Sequence, residues 1–224
     1  MVIDEVKKSN RKTMSIKVDS KGKLIVYAPY FFSDKKIEDF VLSKENWIKK
    51  CQKEAILTNK KYDTSNLLEG NFIYFLGEKY SIKFANVKVV EFVKNDVNYV
   101  FLPVNYQKNT INKLKSYYKK QAEYYLKSVL DNLAKKLNLS YTSFKITSAR
   151  TKWGSCSSKG EIMLNFRLML CPENIIEYVV THELVHLVEL NHGKNFYNML
   201  NYYYPNSKQY IKWLKENGGI LNSY

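Results

Sequence analysis

Apolar and polar positions alternate over the first hundred residues, and beyond them the apolar positions recur every three or four. Strands are therefore expected first and long helices later. Residues 13–18 and 23–28 alternate on either side of Asp19-Ser-Lys-Gly22, a turn sequence, which predicts a hairpin. Pro29 ends the second strand, and Ser33 opens a helix predicted through about Ala55, with Ile37, Phe40, Val41, Trp47 and Ile48 on its apolar side. Strand-like segments follow at 71–76, 79–84, 87–93 and 97–102, with Gly77-Glu78 as a tight turn between the first two.

From 108 to 137 the pattern is helical, with Ile111, Leu114, Tyr118, Ala122, Tyr125, Val129, Leu133 and Leu137 on one stripe. A strand is expected at 143–147, then a loop of small residues over 150–160. Another strand covers 161–168, with Ile162, Leu164, Phe166 and Leu168 facing one way and Met163, Asn165 and Arg167 the other. A helix starts at Pro172, with Glu173 at its positive end and Ile176, Val180, Leu184 and Leu187 on a buried stripe. Pro205 precedes a last helix docked by Tyr210, Ile211, Trp213 and Leu214. The change from strands to a long helix divides the chain into an expected 1–104 domain and a 105–224 domain, without internal repeats.

A hydrophobic content of 45% and a charged content of 25% in 224 residues fit a folded protein with a real core. No apolar run is long enough to cross a bilayer, and the first residues lack the apolar core of a secretion signal. Cys51, Cys156 and Cys171 are odd in number and lack C-x-x-C spacing, which points to free thiols and the cytoplasm. The net charge of +15 raises the question of nucleic acid, because basic surfaces attract phosphate. Yet all but Arg11, Arg150 and Arg167 of the 36 cations are lysine, scattered through a chain rich in Lys, Asn, Tyr and Ile. That pattern is compositional drift rather than a phosphate-binding face.

The chemistry concentrates in one place. All three histidines fall within the 11 residues His182-Glu-Leu-Val-His186-Leu-Val-Glu-Leu-Asn-His192. On a helix, His182 and His186 stand about 6 Å apart along the axis on one face, so two imidazoles can grip one ion. Glu183 lies about 100° further round the helix, where it flanks the ion and can move a proton from water to a leaving amine. Asn191 and Gly193 tolerate the left-handed conformation, so the helix is expected to stop near Leu190 and return His192 to the ion. Three protein ligands leave a fourth position for water, whose pKa zinc lowers to about 7. H-E-x-x-H alone recurs by chance on amphipathic helices; the third histidine and the helix stop set this one apart. Cys156 and Cys171 read as small buried or loop residues. Glu177 and Glu189 either orient a ligand imidazole or are solvated.

These residues resemble the YgjP-like zinc metallopeptidases, distant relatives of the SprT-like proteins. The likeness is carried by 150–160, 162–168, 182–192 and Phe196, and earlier by Arg11-Lys-Thr, Val26-Tyr-Ala-Pro29, Trp47-Ile and Tyr74-Phe-Leu-Gly77. It departs at Gly193, where serine is common, and at Tyr197, where tryptophan is common. The histidine spacing also matches the metzincin motif, but Glu189 replaces its glycine. The resemblance implies one zinc per chain on His182, His186 and His192, Glu183 as acid and base, and hydrolysis of peptide bonds.

The expected fold is α+β: an N-terminal β-rich part with one helix, then a zincin-like domain. There the 108–137 helix packs beside the active-site helix under a mixed sheet. Strand 161–168 is expected to be an edge strand that pairs with an extended substrate, with Asn165 and Arg167 as substrate-binding residues on its more polar face. Arginines kept at 150 and 167 among so many lysines suggest planar multi-donor contacts, to substrate or to loop carbonyls. Tyr197, Tyr202 and Arg167 are candidates for steadying the oxyanion. The partner is a peptide or protein, with nucleic acid ranked below it and no membrane. Two other readings are a protease of DNA- or RNA-bound proteins, as the SprT-like kinship suggests, and a zinc-binding interaction module without catalysis. Glu183 opposes the last, since it adds nothing directly to metal affinity.

Overall fold

The alternation before residue 30 forms the expected hairpin. In the computed structural model, which describes residues 2–19, 21–61, 67–205 and 207–224, β2 (Ser15–Val18) runs antiparallel to β3 (Leu24–Pro29). The Asp19 carboxylate accepts from the backbone N–H groups of Lys21 and Lys23 and closes the turn. A strand not expected from the sequence, β1 (Glu5–Ser9), pairs parallel to β3 on its other side. Its five residues are all exposed, so it carries no alternation to read.

Leu24, Val26 and Ala28 on the inner face of β3 form a core with Ile37 and Val41 of α1 (Asp34–Leu42) and Ile48 of α2 (Glu45–Lys61). The sequence predicts one helix here, whereas the structure has two. At the break, Ser43 Oγ donates to Phe40 O and Lys44 N to Val41 O, which tightens the last turn of α1. The new start lets Ile48 meet the same core, while Trp47 stays 48% exposed instead of joining it. These elements and a 3₁₀ segment, Gly218–Asn222, belong to one unit of the chain, Met1–Asp63 with Asn217–Asn222.

The second unit comprises Thr64–Glu216 with Ser223–Tyr224, so the expected 104/105 boundary falls inside it. Its first sheet contains β4 (Phe72–Phe75), β5 (Glu78–Ala85), β6 (Glu91–Val93) and β7 (Tyr99–Pro103) in the order β4-β5-β7-β6. The β4–β5 turn is Leu76–Gly77, one residue earlier than expected, with both φ positive at 49° and 82°. Its second sheet contains β8 (Ser143–Thr147), β9 (Gly154–Cys156) and β10 (Glu161–Asn165) in the order β8-β10-β9. The strand expected over 161–168 stops at Asn165. There Asn165 Oδ1 accepts from Arg167 N and starts a 3₁₀ turn, Phe166–Leu170.

Helix α3 (Thr110–Leu137) buries Leu114, Tyr118 and Ala122 as expected, then Leu126, Leu130 and Ala134 rather than Tyr125, Val129 and Leu133. The buried positions keep a spacing of four, which drifts about 40° per step against a 3.6-residue turn, so the stripe winds round the helix. α3 packs beside α4 (Glu173–Val185), and the β8-β10-β9 sheet lies against the pair, which is the expected α+β arrangement. Helices α5 (Lys194–Tyr203) and α6 (Ser207–Glu216) follow. Asn206, in the expected start of the last helix, and Ser20, in the first turn, lie outside the described residues. Among the described residues, no helix is long and apolar enough to cross a membrane.

Candidate metal centre

Helix α4 is buried along most of its length, which holds its histidine face in place. Pro172 caps its start, and Glu173 in the first turn accepts from Tyr125 Oη at 2.7 Å. Regular helix ends at Val185, earlier than the expected Leu190. His186 keeps a right-handed conformation as the cap, so His182 and His186 still share one face. Neither Asn191 nor Gly193 is left-handed: Gly193, at φ −84° and ψ −173°, is extended and caps α5. The chain returns through tightened turns, with Val188 N bonded to Val185 O and Gly193 N to Asn191 O. Beneath the histidines lies Phe196 of α5, fully buried, its ring 4.8, 4.5 and 4.7 Å from those of His182, His186 and His192.

The three imidazoles converge. His192 Nε2 lies 3.0 Å from His182 Nε2 and 3.2 Å from His186 Nε2. His186 Nδ1 is 3.0 Å from Glu189 O, and a carbonyl can only accept, so the proton is on Nδ1 and the Nε2 lone pair faces the other two rings. Glu189 thus orients a ring through its backbone oxygen, not its carboxylate. Glu177 accepts from Tyr204 Oη instead. Burial, with the neighbouring His186 and His192, pushes His182 down to about 4, and burial also lowers His186. Imidazole nitrogens aimed at one point suit a cation. A tetrahedral ion at about 2.0–2.1 Å from each nitrogen requires them roughly 3.3 Å apart, close to what the rings show. The set therefore fits one metal ion.

Glu183 points from the next position on α4 towards strand β9. A Cβ built on Gly154 would lie 2.7 Å from both Cγ and Oε1 of Glu183, so only a glycine leaves room for the carboxylate. Burial pushes Glu183 up to about 7, with the Lys152 charge pulling the other way. A carboxyl near neutrality can both take up and release a proton.

A cleft of about 590 Å³ opens over this face. Lys152, Trp153 and Gly154 form one side of it, and Tyr178 and Val179 of α4 extend its floor away from the histidines. Ile211, Leu214 and Lys215 of α6 line it as well. Tyr197 also lines it, with its ring 6.3 Å from that of His192, whereas Tyr202 is 80% exposed and lies outside the lining.

The structure places Asn165 and Arg167 differently from the expectation. Both are buried, at 0% and 1% exposure, and neither lines the cleft. Asn165 Nδ2 donates to Ala149 O and Lys152 O and so secures the loop leading to Gly154. The Arg167 guanidinium donates to Ser148 O, Ser223 O and Tyr224 O. Burial and the charge of Arg150 lower its pKa to about 10. Of the two roles considered for Arg167, bridging of loop carbonyls is the one its bonds display. Strand β10 is also not an edge: β8 and β9 occupy both its sides, and β9 is the outer strand beside α4. Sequence reasoning missed Gly154, Tyr178 and the α6 residues. For Gly154 the only signal was a small residue within a motif read as loop.

The description of the YgjP-like metallopeptidase domain matches residues 12–217, all but the two ends of the chain. No curated protein matches it significantly. Among solved structures, the metallopeptidase zymogen jannalysin of Methanocaldococcus jannaschii is similar at 25% identity, over 40% of this chain and 91% of that one, with a TM-score of 0.35. The metallopeptidase zymogen abylysin of Pyrococcus abyssi is similar at 19% identity, over 41% of this chain and 93% of that one, with a TM-score of 0.37.

Proposed function

The chain belongs to the YgjP-like metallopeptidase family, and on that footing we propose that it is a zinc-dependent peptidase, with His182, His186 and His192 as the metal ligands and Glu183 as the proton carrier. The observation that carries the reading is the convergence of three Nε2 atoms, one with its tautomer fixed by Glu189 O, beside a buried carboxyl. Three nitrogen ligands without a thiolate are the donor set of a catalytic rather than a structural zinc site. When bound, zinc supplies Lewis acidity, which acidifies water and polarises a carbonyl.

The chain's own residues do the rest. Glu183 accepts a proton from the attacking water and returns it to the leaving amine; its pKa of about 7 suits both transfers. Gly154 lets the edge strand approach that carboxyl, and β9, rather than the 161–168 strand, is assigned to align an extended substrate by main-chain pairing. Asn165 and Arg167 then act from behind, by fixing the backbone around 148–152. Tyr197 is assigned to steady the oxyanion, because it lines the cleft beside His192. The three free thiols support a reducing compartment such as the cytoplasm.

Metal analysis with peptide cleavage by wild type and Glu183→Gln tests the reading. The expected result is one zinc per chain in both proteins, with cleavage reduced at least about 100-fold in the variant only. Zinc-free wild type, or undiminished cleavage by Glu183→Gln, would overturn it.

A further inference from the structure

The cleft changes character along α4. His182 and Glu183 mark its reactive end, and Tyr178 and Val179 lie one helical turn, about 6 Å, before them. Ile211 and Leu214 of α6 line the same cleft. The Tyr178 ring is held against that of Tyr210, stacked at 4.9 Å and 15°, so this apolar wall has a fixed aromatic face. A residue next to a bond at the reactive end spans at most about 3.6 Å of backbone, which brings its side chain to that wall.

The lining also carries cations. Lys215 stands one helical turn past Ile211 on the same face of α6, is exposed, and forms no ion pair among the described residues. Lys152, whose charge acts on Glu183, belongs to the reactive end. Among the described residues, the only carboxylate lining the cleft is Glu183, at the reactive end. An apolar wall followed by an unneutralised cation is complementary to a hydrophobic side chain followed by a negative charge.

We propose that the cleft selects peptides with a hydrophobic residue beside the cleaved bond and a carboxylate one residue further on, with Lys215 as the specificity-determining cation. This rests on the peptidase reading for cleavage, but not for binding. The carboxylate comes either from an acidic side chain or from a peptide's own terminus; the cleft's chemistry is the same for both.

The test uses acetyl-Ala-Ala-Leu-Glu-Ala-amide and its Gln and Lys counterparts at the Glu position, with acetyl-Ala-Ala-Leu-Ala as the free acid and as the amide. Cleavage is measured as kcat/KM on the zinc-loaded full chain, and binding by calorimetry on Glu183→Gln. The Glu peptide is expected to exceed the Gln peptide about fivefold in both measurements, as one partly exposed ion pair allows. Lys215→Glu should reverse the order in favour of the Lys peptide. Lys208→Glu, which makes the same charge change on α6 outside the cleft lining, should leave it intact. The free-acid pair tells which source of carboxylate is taken. Equal binding of the Glu and Gln peptides, or an equal effect of the two lysine variants, overturns the proposal. Acid-selective binding without cleavage upholds it and sinks the peptidase reading; cleavage without acid preference does the reverse.

Discussion

Gly154 shows how one residue type can decide a site. Alanine fits its backbone, which has no positive φ, so the conflict is between the new methyl and the Glu183 side chain. A buried glutamate end can rotate away at modest cost, so Gly154→Ala should change stability by no more than about 1 kcal/mol. The displaced carboxyl, however, no longer stands where the proton must be taken, and a misplacement of about 1 Å can cost on the order of 100-fold in rate. The expected outcome is kcat down by about 10- to 100-fold with zinc stoichiometry unchanged, read by peptide hydrolysis alongside metal analysis. Unchanged kcat would mean that Glu183 does not depend on this gap. The histidines were legible in the sequence because their spacing states their geometry. Gly154 was not, because its role lies in what is absent from its side chain. Arg167 was misplaced for a related reason: strand alternation put it on the polar face, but the turn begun by Asn165 carries it into the interior.

Element by element, period and punctuation gave most of the secondary structure, and the misses have local causes. The first hairpin, β4, β5, β8 and α3 follow from alternation or a 3.6-residue spacing. The α1–α2 break was hidden because no Gly or Pro stands at Ser43-Lys44. Helix α5 was legible in the spacing of Phe196, Met199, Leu200 and Tyr203 but was not among the expected elements. The β4–β5 turn shows that a loop can also position a helix. Its Gly77 has φ +82°, and an added Cβ would lie 2.8 Å from Cα of Pro172, the residue that caps α4. Leu76 N bonds Met169 O just before that cap. Backbone stands on both sides of the clash, so no side chain can yield. Gly77→Ala should therefore cost about 2–4 kcal/mol, from left-handed strain together with overpacking. The check is the urea midpoint, which should fall without a change in slope. A midpoint within error of wild type would show that the turn and the start of α4 move freely apart.

Across the whole molecule, the division into two units was not readable, because the return of Asn217–Asn222 to the first unit is made by a short 3₁₀ segment without periodicity. The net charge of +15 carries no comparable message about the site, since it is spread over scattered lysines. Within the second unit the histidine set joins two neighbouring segments. His182 belongs to α4 and His186 caps it, while His192 arrives from the turn before α5, so an ion held by all three adds to the contacts that Phe196 and Tyr204 make between these segments. Binding to the folded state alone stabilises it by about 2.7 kcal/mol at a free metal concentration 100 times Kd. For a protein of this size that corresponds to a Tm rise of roughly 5–10 °C. Chelation should reverse the rise in wild type and in Glu183→Gln alike, because the carboxyl is not among the converging atoms. In His192→Ala, two imidazoles on one helix remain, and the metal-dependent part of Tm should fall to a small residue. Calorimetry with and without zinc reads all three proteins. A wild-type Tm indifferent to zinc, or a His192→Ala variant that gains as much from zinc as wild type, would mean that the third ring takes no part in holding the ion.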